Sequence, residues 1–76
     1  MAIHTYIYAS YKVTVSDVQA MDFIADEAMK AFDAMHIERG TDFTTMERDI
    51  QYAVDPNQAD LAASVLENLG FRVEKR

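Results

Sequence analysis

The stretch LENLGFRV, residues 66–73, carries the end of an amphipathic helix into a returning strand. Gly70 follows the last apolar helical position and supplies a left-handed helix stop. The alternation of apolar and charged side chains in residues 71–75 indicates a short final strand. Upstream, the helix is predicted to begin with Asp55 as its N-cap and Pro56 at the first helical position. The apolar arc of this helix comprises Ala59, Ala62, Ala63, Val65, Leu66 and Leu69.

Residues 3–15 are rich in β-branched and aromatic types and lack Gly and Pro. They predict a first strand whose odd and even positions lie on opposite faces. Residues 16–19 then fit a capping box with Ser16 as the N-cap. Apolar residues recur at spacings of three and four from there onward, which predicts a helix over about residues 17–38 that is stopped by Gly40.

Residues 43–54 alternate between apolar and polar side chains and predict further half-buried β structure. They form either one bent strand or a hairpin turning near Glu47 and Arg48, and we favour the hairpin. Residues 1–76 then assemble as a single α+β domain, a two-layer sandwich with two helices on one face of a three- or four-stranded sheet. This order resembles the ferredoxin-like arrangement, which hosts many unrelated functions and therefore indicates none of them.

Composition excludes several classes of function. The 76 residues carry thirteen acids and seven bases, a net charge of −6. An unaided nucleic-acid binder is not expected, because neutralising phosphates needs a surplus of Lys and Arg. A partner protein with a basic surface is expected instead. The absence of Cys from the sequence excludes disulfides, Cys-ligated zinc and a thiol nucleophile.

The sequence also bears on cellular location. Its N-terminal stretch lacks the basic region and the cleavage site of a secretory signal. No segment reaches the roughly 18 apolar residues that read as a transmembrane helix. We therefore expect a cytoplasmic protein that does not enter membranes.

Catalytic signatures are missing from the sequence. Neither glycine lies in a phosphate-binding loop, and no Gly-x-Ser-x-Gly or His-Glu-x-x-His motif occurs. Ser64 is predicted on the polar side of the second helix, without a histidine to activate it. His4 and His36 are the only imidazoles, and metal binding by them would need carboxylates of unspecified geometry. We expect no enzyme activity, no cofactor and no metal site.

The predicted first helix carries the first candidate surface. At about 100° per residue, Asp22, Asp26 and Asp33 fall within one stripe beside the apolar arc. Phe23 points outward, where an exposed ring forfeits about 1.5 to 3 kcal/mol of burial free energy, as expected of an interface anchor. The simplest alternative is a solvated acidic face. The candidate partner-binding residues are Asp22, Phe23, Asp26, Glu27, Lys30 and Asp33.

The sheet face turned away from the helices is the second candidate surface. Its tyrosines could stack on nucleic-acid bases, but the neighbouring carboxylates would repel phosphate. Cross-strand tyrosine contacts on a partly wet face, or a homodimer seam, are the alternatives. The residues predicted on this surface are His4, Tyr6, Tyr8, Glu47 and Asp49.

These observations favour a small, acidic, non-enzymatic protein-binding module that occupies the basic surface of a larger protein. Inhibitors that viruses and mobile elements direct at nucleic-acid-handling machinery share this kind of composition, with carboxylates in place of phosphates. One alternative is a ligand-sensing or dimerising regulatory domain with a pocket lined by Tyr6, Tyr8 and Tyr52. Another is a small cofactor-free enzyme that works through His4 and a carboxylate.

Overall fold

The computed structural model describes residues 4–13 and 17–75. Within these residues the chain forms two helices and one four-stranded antiparallel sheet, so the α+β prediction is confirmed. The elements are β1 (Thr5–Lys12), α1 (Val18–Lys30), β2 (Met35–Asp42), β3 (Glu47–Val54), α2 (Ala59–Asn68) and β4 (Arg72–Lys75). The strand order is β2-β3-β1-β4, and every neighbouring pair is antiparallel.

The core lies between the sheet and the two helices. Odd positions of β1 and even positions of β3 face it, because cross-strand partners share a face of an antiparallel sheet. Ile3 and Val15, odd positions at the two ends of the predicted first strand, lie outside the described residues. The largest fully buried side chains are Ile7, Met29, Ile50, Tyr52, Val54 and Leu66.

The first helix is much shorter than predicted. It ends at Lys30, whereas the spacing pattern predicted about residues 17–38. Asp33 adopts a left-handed φ of 52°, its N–H donates to the carbonyl of Lys30, and the N–H of Ala34 donates to the carbonyl of Met29. These two bonds form the Schellman motif that normally ends on glycine. Asp tolerates this conformation better than most residues do, so the helix stops without a glycine.

The second helix ends with the same motif on the predicted residue. Gly70 has a φ of 101°, its N–H donates to the carbonyl of Glu67, and the N–H of Phe71 donates to Leu66. The predicted glycine stop at the end of this helix is therefore confirmed.

The segment after α1 is a strand and not the end of a helix. His36 and Gly40, predicted near the end of the first helix and at its stop, both lie in β2. β2 is an edge strand, and its register with β3 shifts between His36 and Glu38. This bulge at Ile37 places both His36 and Arg39 on the helix-facing side of the sheet, because one extra residue reverses the alternation.

A hairpin connects β2 to β3, but its turn lies earlier than predicted. Residues 43–46 form the turn, and Glu47 and Arg48 already belong to β3. The Asp42 carboxylate accepts hydrogen bonds from the backbone N–H groups of Thr44 and Thr45, at 2.8 and 3.4 Å. Met46 takes a left-handed φ of 58°. Aspartate capping therefore stabilises this turn, which contains no glycine.

Both helix starts differ in detail from prediction. The N-cap of α1 is Asp17, whose carboxylate accepts from the N–H of Ala20 at 3.2 Å; the predicted cap Ser16 lies outside the described residues. α2 begins at Ala59, after a turn in which Asp55 accepts from the N–H of Asn57 at 2.8 Å. The prediction that Asp55 is the helical N-cap is therefore wrong by one turn.

Candidate functional site

A network of hydrogen-bonded ion pairs lies between α1 and the β2–β3 side of the sheet. We call it the Asp–Arg network. It consists of Tyr11, Asp22, Asp26, Arg39, Arg48 and Tyr52.

Asp22 is the centre of this network. Arg48 holds its carboxylate with both Nε and Nη2, at 2.8 to 3.1 Å. Arg39 adds a bond at 3.2 Å and the Tyr11 hydroxyl one at 3.0 Å. Only 13% of the Asp22 side chain is exposed, and Arg48 also donates to Thr41 Oγ1 at 2.8 Å. The carboxylate is therefore neutralised within the chain.

Asp26, one helical turn later, is held in a similar way. Arg39 Nη2 donates to both carboxylate oxygens, at 2.9 and 3.1 Å. The Tyr52 hydroxyl donates to Oδ1 at 2.6 Å. Arg39 Nε donates to Nε2 of His36 at 2.9 Å, and the His36 ring packs edge-on against Tyr52 with centroids 6.1 Å apart. The β2 bulge makes this possible, because it brings His36 and Arg39 to one face.

The network shifts the pKa values of its members. Burial acts to raise the pKa of Asp22 and of Asp26, but the hydrogen bonds from the arginines and tyrosines outweigh it, so both pKa values lie below the ordinary range. Burial and the bond to Asp22 raise the pKa of Tyr11 from 10.0 to about 12. Burial and the bond to Asp26 also raise the pKa of Tyr52.

These shifts predict how stability depends on pH. A carboxylate whose pKa is lowered by folding stabilises the fold above its unfolded value near 4, so the free energy of unfolding should fall once the pH drops below about 5. A tyrosine whose pKa is raised by folding stabilises the fold below about pH 10, and this contribution is lost as the pH rises further. Urea denaturation from pH 3 to 11 should therefore give a plateau with two falling limbs.

Tyr11→Phe is the control for this pH profile. It should weaken the alkaline limb and leave the fall in acid, because the carboxylate–arginine pairs remain. Equal stability at pH 3 and pH 7 in the wild-type chain would contradict the assignment.

The carboxylates of the Asp–Arg network already have hydrogen-bond partners within the chain. Each of its carboxylates is bonded to a guanidinium and a phenol, and no buried side-chain polar atom of the described residues lacks a partner. No group of three or more His, Asp or Glu that could hold a metal occurs within residues 4–13 and 17–75. The geometry supports a structural role for the network, fixing α1 against the sheet.

The remaining residues of the first candidate surface do not form one stripe. Asp33 lies beyond the helix in the turn that ends it, which corrects its placement beside Asp22 and Asp26. Phe23 does point outward, and 64% of it is exposed. Glu27 and Lys30 form an exposed ion pair at 2.7 Å on the same helix. Of the predicted surface, Phe23, Glu27 and Lys30 are exposed and take no part in the network.

The second candidate surface is the open face of the sheet, the face turned away from both helices. His4 and Tyr6 are exposed near one end of this face. Tyr8, Glu47 and Asp49 lie on its strands as predicted. Tyr52 lies on the opposite, helix-facing side of the sheet, so the predicted pocket combining it with Tyr6 and Tyr8 does not form. The strand positions on the open face include Tyr8, Ser10, Lys12, Glu38, Gly40, Asp42, Glu47, Asp49, Gln51, Arg72 and Glu74.

Two depressions lie side by side on this face. The larger, of about 500 Å³, is lined mainly by polar groups, among them Ser10, Arg72 and Glu74. The smaller, of about 150 Å³, is lined by Glu38, Gly40 and Gln51. Tyr8 and Asp49 line both. In the register of the sheet Asp49 stands between the small residues Gly40 and Ser10, which leaves space on either side of it.

Sequence reasoning missed four positions on β2 and β3 that belong to the Asp–Arg network or to the open face of the sheet. Arg39, Glu38 and Gly40 were hidden because their segment was assigned to the helix or its stop. Arg48 was placed at a turn, although it has the same parity as Ile50, Tyr52 and Val54 in a strand pattern. That parity was the available signal that its side chain faces the helices.

Comparison of the chain with protein-family models, with curated proteins and with solved structures finds no match. No residue role is therefore carried over from another protein. Neither helix within the described residues is long and apolar enough to cross a bilayer. A function can be inferred only from the geometry and the charge of the described residues.

Proposed function

We propose that this chain is a non-enzymatic protein-binding module, ferredoxin-like in arrangement and cytoplasmic, whose open sheet face occupies a basic surface of a partner protein. The observation that carries the proposal is the charge of that face. Its strand positions hold five carboxylates against two cationic side chains. The arginines that could have balanced them, Arg39 and Arg48, are engaged with Asp22 and Asp26 on the other side of the sheet.

Two of the five carboxylates are available for a partner. Glu47 pairs with Lys12 at 3.2 Å, and Asp42 is turned to the hairpin backbone. In contrast, no side chain within residues 4–13 and 17–75 donates a hydrogen bond to Glu38 or Asp49. Charges held on a rigid sheet attract an oppositely charged surface and orient it during encounter.

The aromatic and apolar residues of the same face supply contact area. Tyr6 is 41% exposed and Met35, its neighbour across Ala53 in the sheet register, is 59% exposed. Tyrosine and methionine are enriched at protein interfaces, whereas phosphate-binding surfaces need basic residues. The combination favours a basic protein, such as one that itself handles nucleic acid, over a nucleic acid.

Neutralising two open-face carboxylates is expected to weaken partner binding by about tenfold and by no more than about thirtyfold, since each exposed pair contributes up to about 1 kcal/mol. The variant is Glu38→Gln with Asp49→Asn. Its matched control is Glu27→Gln with Glu67→Gln, which removes the same charge from exposed positions on the helices. The partner is captured from cell lysate, purified, and titrated against each variant by calorimetry at low and at physiological salt.

A third variant in the same titration is Phe23→Ala. If the sheet face is the interface, Phe23→Ala and the helix control bind as the wild type does. Loss of binding only in Phe23→Ala would instead assign the interface to the outer side of α1 and refute the proposed face.

A further inference from the structure

Gly40 is not explained by the fold of this chain. It lies within β2, where a glycine weakens a strand because it has no side chain to pack and loses more backbone freedom on folding. Its backbone is outside the left-handed region, and a Cβ built on it meets no atom within 4 Å. Neither conformation nor crowding therefore requires glycine here. A glycine inside a strand often marks a place where another molecule approaches closely.

The space left by the missing side chain belongs to the smaller depression of the open face. Gly40 pairs with Asp49 in the sheet register, and Glu38 and Gln51 lie in the next row. These four residues line the depression with Tyr8. The larger depression already contains the cationic side chain of Arg72 among its lining residues. The smaller one is lined by two carboxylates, an aromatic ring and part of Arg39, whose guanidinium is bound by Asp22 and Asp26 on the opposite face of the sheet.

We infer that the smaller depression receives one arginine side chain of the partner, which packs over Gly40. This inference rests on the proposed function and names the contact at its centre. Carboxylates and an amide oxygen are suitable acceptors for the several N–H donors of a guanidinium. A tyrosine ring adds a contact that arginine makes more readily than lysine.

Gly40→Val tests the depression separately from its charge. Valine is favourable in strands and its side chain would enter open space, so the melting temperature should be unchanged or higher. The probe is a capped hexa-arginine peptide titrated by calorimetry and by amide NMR shifts. Gly40→Val should weaken peptide binding about tenfold, and the wild-type shifts should centre on β2 and β3. Ser64→Val is the control, because it places the same valine side chain at an exposed site on α2.

The outcomes separate this inference from the proposed function. If Glu38→Gln with Asp49→Asn weakens peptide binding but Gly40→Val does not, the arginine site is refuted and the acidic docking face stands. If neither variant weakens it, both proposals fail. Hexalysine should bind more weakly than hexa-arginine, and equal affinity for the two peptides would refute the choice of arginine.

Discussion

Asp22→Asn is expected to lower the free energy of unfolding by about 3 kcal/mol, because removing one partner of a buried ion pair leaves the other charge uncompensated. This value is the lower end of the usual range, since 13% of Asp22 and 16% of Arg48 remain exposed. A chain of this size has a total stability of roughly 4 to 11 kcal/mol. The melting temperature should consequently fall by roughly 12 to 24 °C, measured by circular dichroism with urea denaturation alongside.

The matched control for this variant is Glu27→Gln on the same helix. Glu27 also forms an ion pair, with Lys30, but both of these side chains are exposed to water. Exposed ion pairs contribute little to stability. Its denaturation midpoint should stay close to that of the wild type. Equal losses in Asp22→Asn and Glu27→Gln would show that the Asp–Arg network does not hold α1 to the sheet.

A double variant separates the contribution of the Asp22–Arg48 pair from the cost of leaving one buried charge without its partner. In Asp22→Leu with Arg48→Met both charges are removed, so neither is left buried alone, and apolar replacements of buried ion pairs are often tolerated. The loss in the double variant should be smaller than the sum of the two single losses. Additive losses would mean that Asp22 and Arg48 act independently.

The sequence predicted the architecture where local chemistry was unambiguous. The Gly70 junction predicted the second helix and the last strand, because glycine is the usual residue at a left-handed helix stop. The parity of β1 predicted which tyrosines face away from the helices. The end of the first helix was missed because Asp33 replaces glycine in the same motif, while Phe32 and Met35 continue the helical spacing across the break.

The candidate site was predictable only in part, for the same reason. Once residues 35–40 are assigned to the end of a helix and its stop, Glu38 and Gly40 cannot be placed on the sheet face, and Arg39 cannot be paired with the aspartates. The bulge at Ile37 adds a second obstacle, since simple alternation would place His36 and Arg39 on opposite faces. Tertiary pairing of this kind is not encoded in local periodicity. The acidic stripe of α1 was correctly located for Asp22 and Asp26, but its charge is balanced within the chain.

The second large loss of stability is expected on truncation of Leu66. It is the one large apolar side chain among the fully or nearly buried residues of α2. The other buried residues of this helix are alanines, at positions 59, 62 and 63. The short side chains of these alanines cannot fill the space that the leucine side chain leaves, so Leu66→Ala should leave a cavity. The expected loss is about 3 kcal/mol, within the range of about 2 to 5 for such truncations, which would leave roughly 1 to 8 kcal/mol of the stability expected for a chain of this size.

Leu61→Ala makes the same chemical change on the same helix and serves as its control. Leu61 is 63% exposed, whereas Leu66 is fully buried, and alanine is the better helix former. Urea denaturation of Leu61→Ala should therefore give a midpoint equal to or slightly above that of the wild type. Should the two variants lose stability equally, the face that α2 turns toward the sheet would have to be reassigned, because that assignment depends on Leu66 being buried and Leu61 exposed.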